Sequence, residues 1–499
     1  MKTDLECIYL FSRQQPDKLA IVHENDEINY KNLWNGIVNF CNYLIDKGFK
    51  KNYYVILKAK KASSHIVAFY GIQLAGGIPV ILSDNMSVDA ILEVANKYEI
   101  NWIIIDDDVN NENFNVVYHK NVIISNQELS TELTPVFPSL DFISEIIFSS
   151  GTTGTAKGVL VTHKNIISVG QSSIKELGIS EDHVSMITIP VESVGPLREL
   201  HFTMQRGSTL VVAGSMLNLN NYFELIKKYK VTGLYLTPYA WGVILQIAYN
   251  EIIKYQKQIR VISSAASPLP EITRKQLIEV LPYSRLFHFY STTEFGLVSI
   301  MEYNAVTEKK DCSGFVRNSM QVRIVDDNFC DVPVGEKGII TVKGESVCPG
   351  YFKAPELDKN YFIDDGWMLS GDIGYLDKDN YLYIYGRRDD IIIFSGYKIA
   401  PTMIEDIAMQ CDLLKECVCI AYNNKETGME GLKLLIVPVE KKEELAKKIL
   451  LREMKKKLKD TSAADYALIK VAIFRIFIIE TIDAIPRGKN GKIDRKSLR

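Results

Sequence analysis

The sequence predicts an α/β protein with a large, layered N-terminal body and a smaller α+β domain at its C-terminal end. The chain has 499 residues, which is more than one ordinary hydrophobic core needs. Helical patterns alternate with short β-rich runs through about the first 300 residues. From about residue 388 the order changes to two β-runs, a charged helix and a further β-run. These three observations give the predicted fold class.

The N-terminal body is predicted from its β-rich runs. The first are YYVILKA, IPVILSD and NWIIIDDD. Helical patterns lie between these runs, and this alternation is typical of buried strands in a layered α/β fold. The alternation continues through TLVVAG, VTGLYLTP and QIRVISSAA. After residue 310 short β-segments with turns follow, in VRIVDDN, GIITVKG and YLYIYG. This change in the predicted secondary structure indicates more than one subdomain within the body.

The C-terminal domain is predicted from four segments in a row. Two β-runs, CVCIAYN and LKLLIVPVE, precede the helical pattern KKEELAKKILLREMKKKLKD, and VAIFRIFIIE follows it. Glutamates interleave the lysines of the helix, so its charges indicate a solvated face rather than a binding patch.

Composition and charge limit the class of protein. Hydrophobic residues make up 47% and charged residues 24% of the chain, which is typical of a globular protein. The formal net charge is −3, so the chain lacks the overall positive charge that is typical of proteins that bind nucleic acid. The most apolar stretch, IKVAIFRIFIIETI, is interrupted by Lys470 and Arg475, and the N-terminus lacks the apolar run of a signal peptide. We therefore expect no membrane span, no nucleic-acid partner and a cytoplasmic location.

The eight cysteines are scattered along the chain. The closest pair, Cys417 and Cys419, lies one residue apart within an apolar run, a spacing that suits neither a zinc site nor a redox CxxC motif. We expect free thiols in a reducing compartment.

The stretch SSGTTGTAKG at residues 149–158 carries the first chemical signal. It lies between two β-like runs, and Gly158 follows Lys157, whereas a Walker loop needs a serine or threonine after its lysine and then a helix. Hydroxyls, free amides and one lysine are the groups that bind the phosphates of ATP. An ordinary flexible surface loop is the alternative interpretation.

This loop resembles the phosphate-binding signature of the adenylate-forming superfamily, which includes acyl-CoA synthetases, adenylation domains of nonribosomal peptide synthetases and luciferases. The usual form is SSGTTGxPKG, and Ala156 replaces the proline here. The resemblance implies that the following residues bind ATP phosphates: Ser149, Ser150, Gly151, Thr152, Thr153, Gly154 and Lys157.

The stretch FHFYSTTEFG at residues 287–296 resembles a second motif of the superfamily, with Ser291 where glycine is common. The resemblance implies that Tyr290 stacks on adenine, that Thr293 contacts the α-phosphate and that Glu294 helps to hold Mg²⁺. These roles suit the side chains, because a nucleobase binds an aromatic face and a hard cation binds a carboxylate.

Three further stretches resemble the C-terminal motifs of the superfamily. By that resemblance Asp372 binds both ribose hydroxyls and Arg387 adds a ribose contact, Asp389 is a hinge, and Gly396 lines the thiol tunnel. Ile393 stands where a lysine is frequent. Lys492 in IPRGKNGKIDR takes the position of the catalytic lysine. The resemblance thus implies a large domain of residues 1–387 and a small mobile domain of residues 388–499.

The resemblance implies an acid–thiol ligase that forms AMP. ATP and Mg²⁺ would activate a small carboxylic acid as an acyl-adenylate, and the acyl group would pass to a thiol. No carrier domain follows Arg499, which favours free CoA over the phosphopantetheine of a separate carrier protein. A freestanding adenylation enzyme that loads a carrier protein is the first alternative, and a noncatalytic nucleotide-binding homologue is the second.

The acid itself is not identified by the sequence. Pockets of the superfamily are lined by the segments that correspond to IPVESVGPLREL and SSAASPLP. Glu192 and Ser193 in the first segment are candidate pocket residues, although Glu192 also fits a solvated loop. The small side chains of Ser264, Ala265 and Ala266 in the second segment leave room for a ring or a short chain.

Overall fold

The computed structural model divides the chain into two compact units, of which the first is Met1–Val322 with Val342–Met368 and the second is Arg323–Thr341 with Leu369–Arg499. The structure describes residues 2–24, 26–58, 61–82, 86–107, 109, 113–118, 121–122, 135–149, 157–188, 191, 193–214, 218–306, 308–309, 312–394, 397–409, 411, 413–423, 430–439, 443–459, 477–487, 493, 495 and 497–498.

The strands are as follows: β1 (Leu19–His23), β2 (Asp26–Asn29), β3 (Tyr54–Lys58), β4 (Ile78–Ile81), β5 (Trp102–Ile105), β6 (Asn115–Tyr118), β7 (Ile143–Ser149), β8 (Lys157–Thr162), β9 (Val184–Ile187), β10 (Thr209–Val212), β11 (Gly233–Tyr235), β12 (Val261–Ser264), β13 (Arg285–Thr292), β14 (Gly296–Glu302), β15 (Gly314–Val316), β16 (Met320–Val325), β17 (Gly338–Gly344), β18 (Phe362–Ile363), β19 (Trp367–Leu376), β20 (Tyr381–Arg387), β21 (Ile392–Phe394), β22 (Tyr397–Ile399), β23 (Leu414–Asn423), β24 (Glu430–Pro438) and β25 (Phe477–Thr481).

The α-helices are as follows: α1 (Asp4–Gln14), α2 (Tyr30–Asp46), α3 (Ala62–Leu74), α4 (Val88–Lys97), α5 (His163–Leu177), α6 (Val194–Arg206), α7 (Leu219–Lys228), α8 (Pro238–Ile247), α9 (Tyr249–Ile252), α10 (Glu271–Val280), α11 (Pro355–Tyr361), α12 (Pro401–Ala408) and α13 (Glu443–Lys459).

The first unit contains two sheets. One has the order β6-β5-β3-β4-β7-β8 and is parallel except for the last pair. In the other, the strands of this unit follow the order β15-β14-β13-β12-β11-β9-β10-β1-β2, with a parallel centre from β13 to β1. Helix α3 is buried on all sides, as expected of a helix between layers. Its side chains join one core with α1, α2 and α6.

Two helix ends position the site. Helix α5 follows β8 directly because Thr162 and Asn165 form a capping box at its first turn, and Gly178 ends it with a φ of 67°. Helix α6 ends at Gly207, which has a φ of 69°. The two helices pack together. Their contact fixes one side of the pocket described below.

The second unit has its own cores. Strands β16, β17, β19 and β20 are neighbours in that order, and β21 pairs with β22. Strands β23, β24 and β25 form a sheet whose apolar face packs with α12 and α13. The predicted β-β-α-β order of the C-terminal region is confirmed over the described residues.

The predicted fold class is confirmed, with a large sheet-rich body and a smaller C-terminal part. The predicted boundary between residues 387 and 388 falls within the second compact unit. The predicted boundary separates two domains that are expected to move relative to each other. A division of the chain into compact units does not test such movement, so the boundary stays a prediction.

The cysteines and the helices bear on two further properties. All eight cysteines are free thiols. None of the described helices is both long enough and apolar enough to cross a membrane.

Candidate active site

The glycine-rich loop joins two antiparallel strands. Ser149 at the end of β7 is the register partner of Lys157 at the start of β8, and helix α5 begins only after β8. The loop therefore differs from a Walker loop, as the sequence indicated. Ser150, Gly151, Thr152, Thr153 and Gly154 lie outside the described residues, as does the Ser149 side chain. Their phosphate contacts stay predictions.

Lys157 is held by two tyrosines. Its Nζ donates a hydrogen bond of 2.9 Å to the Tyr361 hydroxyl and lies 4.6 Å from the centre of that ring. The Tyr351 ring is 5.9 Å from the same nitrogen. Cation–π contacts of this kind hold an ammonium group without neutralising its charge. Lys157 thus presents a fixed cation at the edge of the loop.

Thr293 and Glu294 lie at the tip of a β-hairpin. Strands β13 and β14 pair up to Thr292 and Gly296, so only three residues form the turn. The Phe295 amide donates to the Thr292 hydroxyl (3.3 Å), and the Cys348 amide donates to the Glu294 carbonyl (2.7 Å). The backbone on both sides of Thr293 is therefore anchored.

Two side chains from other elements also hold this hairpin tip. Arg198 of α6 donates from Nη2 to the Thr292 carbonyl. The Ser346 hydroxyl donates to the Phe295 carbonyl at 2.9 Å. Burial raises the pKa of the Cys348 thiol to about 12, and the nearby Glu294 carboxylate adds to that shift.

Tyr290 precedes the tip on β13 and is largely buried. Its ring centre lies 6.2 Å from that of Phe295, and the strand has a bulge between Tyr290 and Ser291. The structure thus places Tyr290, Thr293 and Glu294 in one hairpin, and their contacts with a nucleotide stay predictions.

A small pocket, partly open to solvent, adjoins this hairpin tip. Thr293 and Gly296 form part of its wall, so the pocket adjoins the turn whose Thr293 is predicted to contact the α-phosphate. Most of the remaining lining is apolar and comes from β7, β8, α5 and α6. The apolar lining residues are Ile147, Val161, Ile166, Val169, Val194, Leu197 and Phe202.

Three acidic or basic side chains also line the pocket, namely Glu145, Arg198 and His201. Burial alone would lower the pKa of His201, but the Asp4 and Glu145 carboxylates outweigh it and raise that pKa to about 10. His201 is therefore cationic near neutral pH. Burial lowers the pKa of Arg198 to about 10, so it is cationic too.

The candidate pocket residues from the sequence lie elsewhere. Ser193 is the N-cap residue of α6, Ser264 ends β12, and Ala266 has a positive φ of 81°. None of Ser193, Ser264, Ala265 or Ala266 is in the lining of this pocket. Glu192 lies outside the described residues. Their contact with an acid substrate stays a prediction.

Sequence reasoning missed Glu145, Arg198 and His201. Arg198 lies within the segment IPVESVGPLREL that was singled out for the pocket, so its charge was an available signal. Nothing local marks Glu145, which lies in a strand run, or His201, which lies on a helix.

Asp372 and Arg387 are paired within the second unit. They are register partners on β19 and β20, and Arg387 Nε lies 3.0 Å from Asp372 Oδ1. Asp372 is 4% exposed. Asp389 lies in a single 3₁₀ turn, Arg388–Asp390. Gly396 and Lys492 lie outside the described residues.

Comparison with known proteins decides the family. The family model described as "AMP-binding enzyme" matches residues 10–352, which is more than half of the chain. The chain belongs to the AMP-binding enzyme family. The predicted family and the predicted enzyme class, an AMP-forming ligase, are thereby confirmed.

Curated relatives within the AMP-binding family are CoA ligases by name. 4-Coumarate-CoA ligase 1 of Narcissus pseudonarcissus is 27% identical over 439 residues, which cover 85% of this chain and 76% of the relative. 4-Coumarate–CoA ligase 1 of Petroselinum crispum is 27% identical, with 84% and 75% covered. The predicted use of ATP and CoA agrees with these relatives and with the family.

Solved structures share the fold of this AMP-binding enzyme. ATP-bound MatB from Rhodopseudomonas palustris matches with a TM-score of 0.86 at 20% identity, over 100% of this chain and 98% of that one. O-succinylbenzoate coenzyme A synthetase (MenE) from Bacillus subtilis, in complex with ATP and magnesium ion, matches with a TM-score of 0.83 at 20% identity, over 100% and 99%. At this identity the match establishes the fold alone.

Proposed function

We propose that this protein joins a small carboxylic acid to the thiol of CoA through an acyl-adenylate. The observation that carries the proposal is the apolar pocket whose wall includes Thr293, next to Glu294 in one anchored turn. An apolar pocket with a few polar groups at one end is the usual form of a site for a small organic substrate. The AMP-binding family and the names of the relatives support the reaction class.

The hairpin tip suits the adenylation step. In that step a carboxylate oxygen forms a bond to the α-phosphorus while the bond from that phosphorus to the bridging oxygen of pyrophosphate breaks. The Thr293 hydroxyl would donate to an α-phosphate oxygen, and Lys157 would neutralise charge on the departing phosphates. Both groups are pre-positioned, Thr293 by the anchored turn and Lys157 by Tyr361.

Glu294 fits a role in holding magnesium. Among the described residues there is no group of three or more histidine, cysteine or acidic side chains that could form a complete metal site. Mg²⁺ usually binds through one or two carboxylates together with substrate phosphates and water, so a single carboxylate at the tip suffices. Bound Mg²⁺ would supply positive charge to the phosphate oxygens during the transfer.

The nucleoside contacts rest on the motif resemblance. Tyr290 would stack on adenine, and the carboxylate of Asp372 would accept from the ribose hydroxyls beside Arg387. A carboxylate accepts up to about four hydrogen bonds, so pairing with Arg387 is compatible with binding a ribose. Lys492 as the catalytic lysine, Asp389 as the hinge and Gly396 in the thiol tunnel rest on the motif resemblance.

In the second step the CoA thiolate would attack the acyl carbon of the adenylate, and AMP would leave. We favour CoA because the relatives that match along most of this chain are named CoA ligases. A carrier-protein phosphopantetheine carries the same thiol and is the alternative acceptor. A cytoplasmic location, where ATP and CoA are available, remains part of the proposal.

The test is ATP–pyrophosphate exchange with a panel of aryl, fatty and amino acids, followed by mass spectrometry of the product. We expect acid-dependent and magnesium-dependent exchange, and an acyl-CoA when CoA is added. Transfer to a phosphopantetheinylated carrier protein with none to CoA would identify the alternative acceptor. No exchange and no acyl-adenylate with any acid would contradict the enzymatic function.

A further inference from the structure

Arg198 brings a positive charge to the pocket beside the turn at residues 293–295. It belongs to helix α6 and lines the pocket together with Thr293. Its Nη2 donates a hydrogen bond to the carbonyl oxygen of Thr292, the residue before Thr293. This bond fixes one end of the guanidinium at the end of strand β13. The side chain is half-buried, so part of it is accessible from the pocket.

Most of the donors of this guanidinium remain unused. An arginine side chain has five N–H donors in one plane. Within the described part of the chain, Arg198 makes only the hydrogen bond to the Thr292 carbonyl. That acceptor is uncharged, so it holds the guanidinium without balancing its charge.

The carboxylates around the pocket do not form an ion pair with Arg198. His201 Nδ1 lies 2.6 Å from the Asp4 carboxylate and His201 Nε2 lies 3.5 Å from the Glu145 carboxylate, so these two acids pair with the histidine. Burial lowers the pKa of Arg198 to about 10 in spite of the Glu145 and Glu294 carboxylates, which act at longer range. Arg198 is therefore a cation near neutral pH that has no ion-pair partner among the described residues.

Such a cation on the wall of a mostly apolar pocket indicates an anionic ligand. A charge that is removed from water costs free energy unless an opposite charge compensates it. The flat fork of a guanidinium matches a carboxylate, which accepts two parallel N–H bonds. The proposed reaction brings two anions to this turn, the carboxylate of the acid and the α-phosphate of ATP. The carboxylate belongs to the molecule that the pocket would hold, so the position of Arg198 favours it.

We infer that Arg198 binds the reacting carboxylate of the acid and holds it beside Thr293. The inference rests on the proposed function, which supplies the acid and its adenylation. A carboxylate has about four lone-pair sites, so an oxygen that accepts from Arg198 can still attack phosphorus. Because the same guanidinium is bonded to the Thr292 carbonyl, it ties the orientation of the attacking oxygen to the turn. Such alignment of two reactants lowers the barrier to their reaction.

The first test is pyrophosphate exchange at varied acid and varied ATP, with the acid that the wild type activates fastest. Arg198→Gln should raise KM for the acid by about thirtyfold or more and leave KM for ATP within about threefold, since a lost charge-assisted bond weakens the ligand that used it. Arg198→Lys should restore part of the loss, because lysine keeps the charge but not the fork.

Ser346→Ala is the matched control for the turn. The Ser346 hydroxyl donates to the Phe295 carbonyl, so this variant loosens the same turn without removing a charge. KM for the acid should stay within about threefold of wild type, because only a neutral hydrogen bond is lost. In Arg198→Gln, a rise in KM for ATP that equals or exceeds the rise for the acid would assign Arg198 to the α-phosphate. A lower kcat with both KM values unchanged would assign it to the turn. Either result would overturn the inference.

A second measurement uses the wild-type protein and does not depend on the folding of a variant. Methylglyoxal modifies accessible guanidinium groups, and peptide mass spectrometry follows the modification of Arg198. We expect Arg198 to react, and we expect the acid to slow this reaction more than its primary amide does at the same concentration. Arg452, which is exposed on α13, is the internal control and should react equally in all samples. An unreactive Arg198, or equal protection by acid and amide, would overturn the inference.

Binding without turnover separates this inference from the proposed function. The rise in unfolding temperature is measured for each acid of the panel, such as phenylacetate, and for its primary amide, without ATP. If exchange fails with every acid but carboxylates stabilise wild type more than their amides do, and this advantage is lost in Arg198→Gln, the enzymatic function is wrong and the carboxylate site stands. If exchange proceeds but no carboxylate has an advantage over its amide, the inference is overturned and the enzymatic function stands.

Discussion

Glu294 is anchored by its backbone, whereas its carboxylate has no hydrogen-bond or ion-pair partner within the described part of the chain. The turn around it is held from α6 and from the segment that contains Ser346 and Cys348. At the scale of one residue, this fixes the backbone that carries the carboxylate while leaving its oxygens available. A magnesium ligand needs this combination, because the metal binds through oxygen atoms.

Glu294→Gln should raise the magnesium concentration that gives half-maximal exchange by about tenfold or more, because an amide binds a hard cation less well than a carboxylate does. The measurement is exchange rate against magnesium concentration at saturating acid. Glu345→Gln is the control, since the Glu345 side chain is exposed and forms a surface ion pair with Lys164. Equal magnesium curves for Glu294→Gln and wild type would exclude Glu294 from the metal site.

Glu199 gives a second residue-scale prediction, which concerns stability and pH. Burial raises its pKa from 4.5 to about 7, although the Ser185 hydroxyl donates to it. The folded state therefore holds this proton more tightly than the unfolded state. The stabilising contribution is complete below about pH 4.5 and is lost as the pH rises through 7.

Glu199→Gln should remove that part of the pH dependence. Between pH 5 and pH 8 the free energy of unfolding of wild type should fall by about 1–3 kcal/mol more than that of the variant, because glutamine has no proton to lose. Urea unfolding at both pH values measures the change. Parallel curves for the two proteins would show that Glu199 does not titrate in this range.

At the scale of elements, one ion pair ties the end of the chain to α12. Arg495 donates from Nη1 and Nη2 to the two Glu405 carboxylate oxygens (2.6 and 2.8 Å), and also from Nη1 to the Cys419 carbonyl. The Cys419 amide donates to Glu405 as well. Glu405 is 9% exposed, so this network links helix, strand and terminal segment within the second unit.

Arg495→Met should destabilise the second unit by about 3–5 kcal/mol, because it leaves the Glu405 carboxylate buried without its partner. The double variant Glu405→Gln/Arg495→Met should recover part of this loss, since it leaves no unpaired charge. Urea unfolding of the wild type, both single variants and the double variant measures the coupling. Additive effects would show that the pair is not energetically linked.

At the scale of the whole molecule, the proposed function assigns two reactions to one chain. Lys492, outside the described residues, would neutralise charge during adenylation, and rotation about Asp389 would then exchange it for the Gly396 loop. Lys492→Ala should slow adenylation by about a hundredfold or more while largely sparing thioester formation from supplied acyl-adenylate. Lys489→Ala in the same segment is the control.

Asp389→Pro should have the opposite effect, because proline restricts the backbone at the proposed hinge. Adenylation should continue while thioester formation falls, and Asp389→Ala should change neither strongly, since it leaves the backbone free. Single-turnover measurement of each half-reaction checks both outcomes. Equal loss of the two steps in Lys492→Ala would contradict a domain alternation of this kind.

The sequence by itself determined the family, the fold class and the short motifs. Residues 293–295 form one turn between β13 and β14, and Ser149 pairs with Lys157 across β7 and β8, so residues close in the sequence of these motifs also lie close in space. Local chemistry, such as hydroxyls beside a lysine or a threonine beside a glutamate, can be read directly from such segments. The same applies to the order of strands and helices, which follows the hydrophobic periodicity.

Only the tertiary structure decided which buried charges meet at the pocket. Asp4 and His201 are 197 positions apart, and Glu145 reaches them from a third element. No periodicity specifies which buried charges meet across such separations, since these contacts depend on how helices α1 and α6 pack against strand β7. This buried charge cluster is therefore a product of packing between layers, whereas the turn at residues 293–295 is a product of local sequence.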